Sequence, residues 1–252
     1  MKKILSIFLP LTRQKAALVL LIVYWPFIFI LTHIIVPPSI LSQMRASDKS
    51  LHFLVYFILI VMFWCSISPE KKAALKSKKV WIVFLILLSY AAIDEWLQGL
   101  QAGRTRDFMD FVANAEGLAA GLVLILLFSF WPAALLATAV SILVFTSAVR
   151  IQFTGNLAFV RPLVLFLSFG FITFLLCEFL TAYISIKQLR LKWIIYSLIL
   201  PIVLIAVAKL LTIFTGRAFE LEDVLLSAAA ILAVVIIISY VKIIGHSGNR
   251  QF

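Results

Sequence analysis

Three short polar ladders interrupt an otherwise apolar chain, and their residue types could do chemistry. The first is Asp48-Lys49-x-x-His52-x3-Tyr56. The second is Asp94-Glu95-x-x-Gln98. The third is Gly103-Arg104-x-x-Asp107-x-x-Asp110-x3-Asn114-x-x-Gly117. Ionisable groups at or inside the edge of hydrocarbon are costly and persist mainly where they act. An imidazole such as His52 can take and return a proton near neutral pH, and a carboxylate beside it, Glu95 or Asp110, would orient it. Arg104 would clamp an anion through its planar fork of donors, or fold onto the neighbouring carboxylates. His52, Glu95 and Asp110 are therefore the candidate catalytic residues. Asp48, Lys49, Tyr56, Gln98, Arg104, Asp107 and Asn114 are the candidate substrate-binding residues.

Each ladder also has a plainer reading. Asp48, His52 and Tyr56 recur every four residues and share one helix face. Asp48 would serve there as an N-cap, His52 as a satisfied structural histidine, and Tyr56 as packing with its hydroxyl donated to a neighbour. Asp94 and Glu95 point about 100° apart on a helix, and we assign Glu95 to the face of Gln98. Two acids at a helix C-terminus oppose the dipole. They are either solvated or compensated by a cation such as Arg104, Arg106 or a metal. Asp107 and Asp110 would start their helix as a capping box does. That reading does not reach Asn114, two turns in. Asp107, Asp110, Asn114, Gly117 and Gly121 form one stripe, polar above and glycine below, with Gly117, Gly121 and Ala113 as a close-packing seam.

The elements that carry these ladders are membrane helices. Hydrophobic residues make up 64% of the 252-residue chain and charged residues only 13%, against about 45–50% and about 25% in a soluble domain. Apolar runs predict an all-α, polytopic bundle with spans near 16–36, 51–67, 80–98, 108–130, 132–149, 162–184, 193–213 and 223–244. Residues 1–15 begin like a signal peptide but lack a small-x-small cleavage site, and read as a cytoplasmic interfacial helix. Basic residues gather in that segment, in the 68–79 and 185–192 loops and in the tail. The positive-inside rule makes this the cytoplasmic side, with both termini on it. Most acids fall on the outer side. The net charge of +11 is thus mainly a topology signal with attraction to anionic lipid, and nucleic acid is excluded as a partner. Cys65 and Cys177 lie in apolar runs, so neither a disulfide nor thiol chemistry is expected.

The halves align at an offset of 113, which points to two parallel four-helix repeats, 16–130 and 131–252. Gly103-Arg104-x-x-Asp107-x-x-Asp110 falls on Gly216-Arg217-x-x-Glu220-x-x-Asp223. The second copy lacks the rest: His52 falls on Leu165, Glu95 on Ala208, Gln98 on Leu211, Asn114 on Ser227 and Gly117 on Ala230.

The combined pattern over about residues 16–130 resembles the VanZ-like membrane proteins, named for a teicoplanin-resistance accessory. Asp48, Lys49, His52, Tyr56, Glu95, Gln98, Arg104, Asp107, Asp110, Asn114 and Gly117 carry the resemblance. It implies a bacterial cytoplasmic-membrane protein, linked in some members to glycopeptide tolerance, and supplies no agreed activity. Glu116 is an extra charge beside the stripe, and the last four spans lie outside the family core.

Three functions fit the residues. They suit a binder or carrier of an anionic or lipid-linked envelope molecule, an enzyme acting on such a molecule with His52 as acid/base, or a bundle whose polar network only holds helices in register. Partners are membrane lipids and a lipid-linked envelope precursor; the oligomeric state is open. No cofactor is expected, and no metal is assigned, although one imidazole with hard oxygen ligands would suit several divalent ions. No His-Glu-x-x-His, phosphate-binding glycine loop or nucleophile elbow occurs.

Overall fold

A computed structural model describes residues 13–33, 48–69, 71–100, 107–147, 159–183, 190–216 and 219–247. Among them there are eight helices and no strand: α1 Arg13–His33, α2 Asp48–Ile67, α3 Lys78–Gln98, α4 Phe108–Leu127, α5 Phe130–Ser147, α6 Val160–Tyr183, α7 Arg190–Phe214 and α8 Leu221–Ser247. Helices are the expected solution, because a backbone in lipid must satisfy its own hydrogen bonds within the segment. Six of them are long and apolar enough to cross a membrane. The other two expected spans fall short of that: α1 and α5 offer only the shorter apolar stretches Gln14–Ile30 and Phe130–Thr146. Most of the interfacial segment expected at 1–15, and Arg217, lie outside the described residues.

The chain divides into two compact units. The first runs over Met1–Ala137 with Val149–Ile151, the second over Thr138–Ala148 with Gln152–Phe252, so α5 contributes to both. In the first unit α2 is central. It packs most extensively on α4, then on α1, and more lightly on α3, which also meets α4. Tyr56, Leu59 and Ile60 of α2, Leu87 and Ala91 of α3 and Leu118 of α4 are essentially inaccessible. Ile82, Leu85, Ile86 and Ile93 of α3 face outward, as lipid-facing side chains should.

The glycine seam explains how closely α2 and α4 approach. A Cβ built on Gly117 would stand 2.2 Å from the Phe53 carbonyl oxygen. One on Gly121 would meet Ile60 Cγ2 at 2.3 Å and the Phe57 carbonyl oxygen at 2.9 Å. Backbone, not a flexible tip, fills the space at Gly117, so only a residue without a side chain fits there. At the far pole, Ala73 N donates to the Ile125 carbonyl at 2.9 Å, and Trp64 Nε1 donates to the Lys71 carbonyl at 3.2 Å. These bonds tie the basic 71–79 loop to the ends of α2 and α4.

In the second unit α8 packs chiefly on α6 and then on α7, and α6 meets α7. Phe169, Ile172, Ala208, Ala230 and Ile231 form its core. Cys65 and Cys177 are buried, one in each unit, and neither is in a disulfide.

Candidate functional site

The start of α2, the end of α3 and the start of α4 meet at one pole of the first unit. That convergence assembles the ladders into one cluster, graded from an exposed rim to a buried floor.

Lys49 and Asp107 make the rim, with side chains 55% and 48% exposed. Lys49 Nζ donates to Asp107 Oδ2 at 2.9 Å and to Asp110 Oδ1 at 3.1 Å, bridging the starts of two helices. Asp107 is the N-cap of α4, its Oδ1 accepting from Met109 N at 2.8 Å. The short segment before α4 is drawn onto α3 as well, since Asp107 N donates to Glu95 Oε1 at 3.0 Å. The Lys49 hydrogen bond, with help from the Met109 N–H, holds the Asp107 carboxyl below the usual carboxylate range.

One turn deeper lies His52, which is buried. Its Nδ1 is 3.1 Å from Asn114 Oδ1. An amide oxygen only accepts, so Nδ1 carries the proton of this contact. Nε2 then turns toward two carboxylates, 3.6 Å from Asp48 Oδ1 and 4.0 Å from Asp110 Oδ2. Asp48, His52 and Asp110 each offer a ligand atom within 4.8 Å of the others, so together they could hold a metal ion.

Asp94 is the floor and is fully buried. Its Oδ2 accepts from Gln98 Nε2 at 2.9 Å and from Tyr56 OH at 3.3 Å. Its Oδ1 lies 3.9 Å from Nδ1 of His33, which comes from the last turn of α1. Three buried atoms at this depth, Asp94 Oδ1, Glu95 Oε2 and Asn114 Nδ2, make no hydrogen bond among the described residues. Leaving a buried polar atom unpaired costs about 1–3 kcal/mol, so packing alone does not account for them.

Asp48, Lys49, His52, Tyr56, Glu95, Gln98, Asp107, Asp110 and Asn114 thus come together. Arg104 lies outside the described residues, as do Gly103 and Arg106. One expectation is corrected. Gln98 pairs with Asp94, not Glu95, because four residues advance a helix to within about 40° of the starting direction and three leave about 60°. Of the two readings of the acid pair, the solvated one falls, since Asp94 and Glu95 are both buried. His33 was not singled out from the sequence. It carries no ladder spacing, and the one available signal was that the end of the first span falls on the same side as the start of the second.

Residues 6–129 match the family model described as VanZ/LLP1. The match ends two residues beyond α4, so it contains the whole cluster and none of α5 to α8. No curated protein and no solved structure matches the chain.

Proposed function

We propose that this VanZ-like membrane protein binds or carries an anionic or lipid-linked cell-envelope molecule in the polar cluster of its first unit, on the outer side of the bacterial cytoplasmic membrane. One observation carries the reading: polar groups run from an exposed rim at Lys49 and Asp107 to a floor at Asp94 and Asn114, with buried hydrogen-bonding capacity left over at Glu95 and Asn114. A network that served only packing would use that capacity.

The surroundings suit a lipid with a polar head. Ile93, Trp96, Phe108 and Met109 are exposed and lie within a turn of Glu95 or Asp107. A hydrocarbon tail could stay against them while its head group reached Lys49. Lys71, Lys72, Lys76, Lys78 and Lys79 gather at the opposite ends of α2 and α3, which supports an outward-facing cluster. Cysteine labelling in cells checks the orientation. Leu75→Cys and Leu100→Cys, both at exposed positions, should react from opposite sides, and labelling of both from the same side would overturn it.

Binding can be measured directly on the full chain in detergent. A polyprenyl phosphate should bind at least tenfold more tightly than the matching polyprenyl alcohol, and Lys49→Ala should erase the difference. Equal affinity for the two lipids would refute the proposal. The oriented imidazole of His52 also favours a second reading, an enzyme using it as acid/base on the same lipid. Consumption of the bound phosphate lipid, lost in His52→Ala, would select that reading over binding or carriage.

A further inference from the structure

The cluster as described has an excess of acid. Five acids belong to it: Asp107 and Asp110 meet Lys49, Asp48 and Asp110 lie beside His52, Asp94 lies beside His33, and Glu95 accepts from Asp107 N. An anionic head group entering it would meet repulsion on most sides. A bound cation would remove that conflict, and one place is built to hold one.

We infer that Asp48, His52 and Asp110 form a divalent-cation site, through Asp48 Oδ1, His52 Nε2 and Asp110 Oδ2. The inference rests on how His52 is held. Asn114 Oδ1 accepts from Nδ1 at 3.1 Å, which places Nε2 on the side of two carboxylate oxygens at 3.6 and 4.0 Å. The three ligand atoms lie within 4.8 Å of one another, close enough for one cation to bridge them. Ligands at about 2.0–2.2 Å from a metal stand roughly 3–3.5 Å from one another; the two contacts of His52, at 3.6 and 4.0 Å, are close to that, and all three atoms lie within 4.8 Å of one another, so the two carboxylates would draw in to complete the site. The supports match those of metal sites, where a histidine's second nitrogen is fixed by an acceptor and ligating carboxylates are themselves hydrogen-bonded. Asn114 does the first, and Lys49 does the second by holding Asp110 Oδ1 at 3.1 Å. Glu95 is an independent pointer. It is buried, its Oε2 has no hydrogen bond among the described residues, and it lies within electrostatic reach of both His52 and Asp110.

One imidazole with two carboxylates suits Zn²⁺ or Mn²⁺ better than a soft ion. Three protein ligands also leave coordination positions open. Resting on the proposed function, the cation would accept a phosphate oxygen of the lipid head in an open position, with Lys49 at the rim taking another. No sequence motif marks this site, because its ligands come from two helices, four and fifty-eight residues apart.

The test uses the full chain in detergent, stripped with a chelator and titrated separately with Zn²⁺ and Mn²⁺ by calorimetry. One equivalent should bind at micromolar or tighter affinity. His52→Ala, Asp110→Asn and Asp48→Asn should each weaken it at least thirtyfold, while Asp223→Asn in the second unit leaves it unchanged. Asp48 is the safe variant if the others fold poorly, because its side chain is 43% exposed. Co²⁺ loading should give a visible absorption band that is lost in His52→Ala. No binding, or equal binding by wild type and Asp48→Asn, overturns the inference. So does a His52 ring that nuclear magnetic resonance finds protonated on both nitrogens with metal present. A polyprenyl phosphate titration with and without metal separates the two proposals. Metal binding without lipid binding keeps the cation site and removes the proposed function. Lipid binding unaffected by metal, with no metal bound, does the reverse.

Discussion

The poles where α2 and α4 begin and where α6 and α8 begin use the same device to different extents. In the first unit Lys49, at the start of α2, reaches Asp110, in the first turn of α4. In the second, Arg161, at the start of α6, reaches Asp223, in the first turn of α8, at 2.6 Å. The offset of 113 carries positions 48, 78 and 108 to 161, 191 and 221, and α6, α7 and α8 begin at Val160, Arg190 and Leu221. The second pole adds to this ion pair a contact of Lys209 Nζ, which donates to the Phe219 carbonyl. Asp223 Oδ2 also accepts from Glu220 N at 2.9 Å and so closes its own helix start. At the same offset in sequence, Leu165, Ala208 and Ser227 fall on His52, Glu95 and Asn114. Cations that bridge helix ends, Arg161 to Asp223 and Lys209 to the Phe219 carbonyl, therefore hold this pole together without a histidine. The histidine, the amides and the second tier of carboxylates in the first unit exceed that need, and we assign the excess to the proposed binding role.

The comparison can be broken first at the helix seams. Gly117→Ala should be the most damaging substitution, because its Cβ meets the α2 backbone at 2.2 Å. We expect a loss of about 3 kcal/mol or more, the upper end for overpacking, read as a collapse of folded yield. In the second unit, a Cβ on Gly170 meets only Val234 Cγ2 at 3.7 Å, so Gly170→Ala should melt near wild type. Equal effects would remove the close α2–α4 contact from the account.

The ion pairs come next. Arg161→Ala strips the cation from Asp223, whose side chain is only 12% exposed, and should cost about 1–3 kcal/mol. Lys49→Ala should cost less, because that side chain is half exposed, yet it should abolish phosphate-lipid preference while Arg161→Ala spares it. Detergent melts and lipid titrations on the two variants check this, and the opposite assignment would exchange site and scaffold.

The smallest effect concerns pH. Asp107 has its folded pKa lowered by Lys49 and Met109 N–H. Its contribution is therefore complete above the ordinary carboxylate value of about 3.9. It is lost as pH falls through the lower folded value. Asp107→Asn should flatten the acid limb of the stability profile below about pH 4 and change little at pH 7. An unchanged acid limb would mean that the Lys49 contact is not formed in solution.

Much of this was legible in the sequence, for reasons that also mark where legibility ends. The apolar runs located the helices to within a few residues, and the 3-4-3-4 stripe placed Asp110, Asn114 and Gly117 on one face because helical periodicity is local. The glycine seam followed from the same periodicity. Partners across helices did not follow. That Lys49 bridges Asp107 and Asp110, or that His52 sits between Asn114 and two aspartates, depends on the rotation of α2 against α4, which close packing fixes. The Asp94–Gln98 pairing was accessible from helix geometry, since four-residue spacing is the squarer one. His33 was not, because a lone histidine at a span end carries no pattern. Charge sorting likewise gave no account of cations at the acidic poles. Lys49, Arg161 and Lys209 are engaged there by Asp107 and Asp110, by Asp223, and by the Phe219 carbonyl.

The central claim, that the first pole is a binding site and not a stiffer scaffold, is tested most directly by giving it the second pole's residues. The measurement is polyprenyl phosphate affinity of the full chain carrying His52→Leu with Asn114→Ser, taken at matched folded yield and melting temperature. Our account predicts a melting temperature within a few degrees of wild type and at least a tenfold loss of affinity. Retained affinity in a well-folded double variant, or a loss of affinity only in proportion to lost stability, would contradict it.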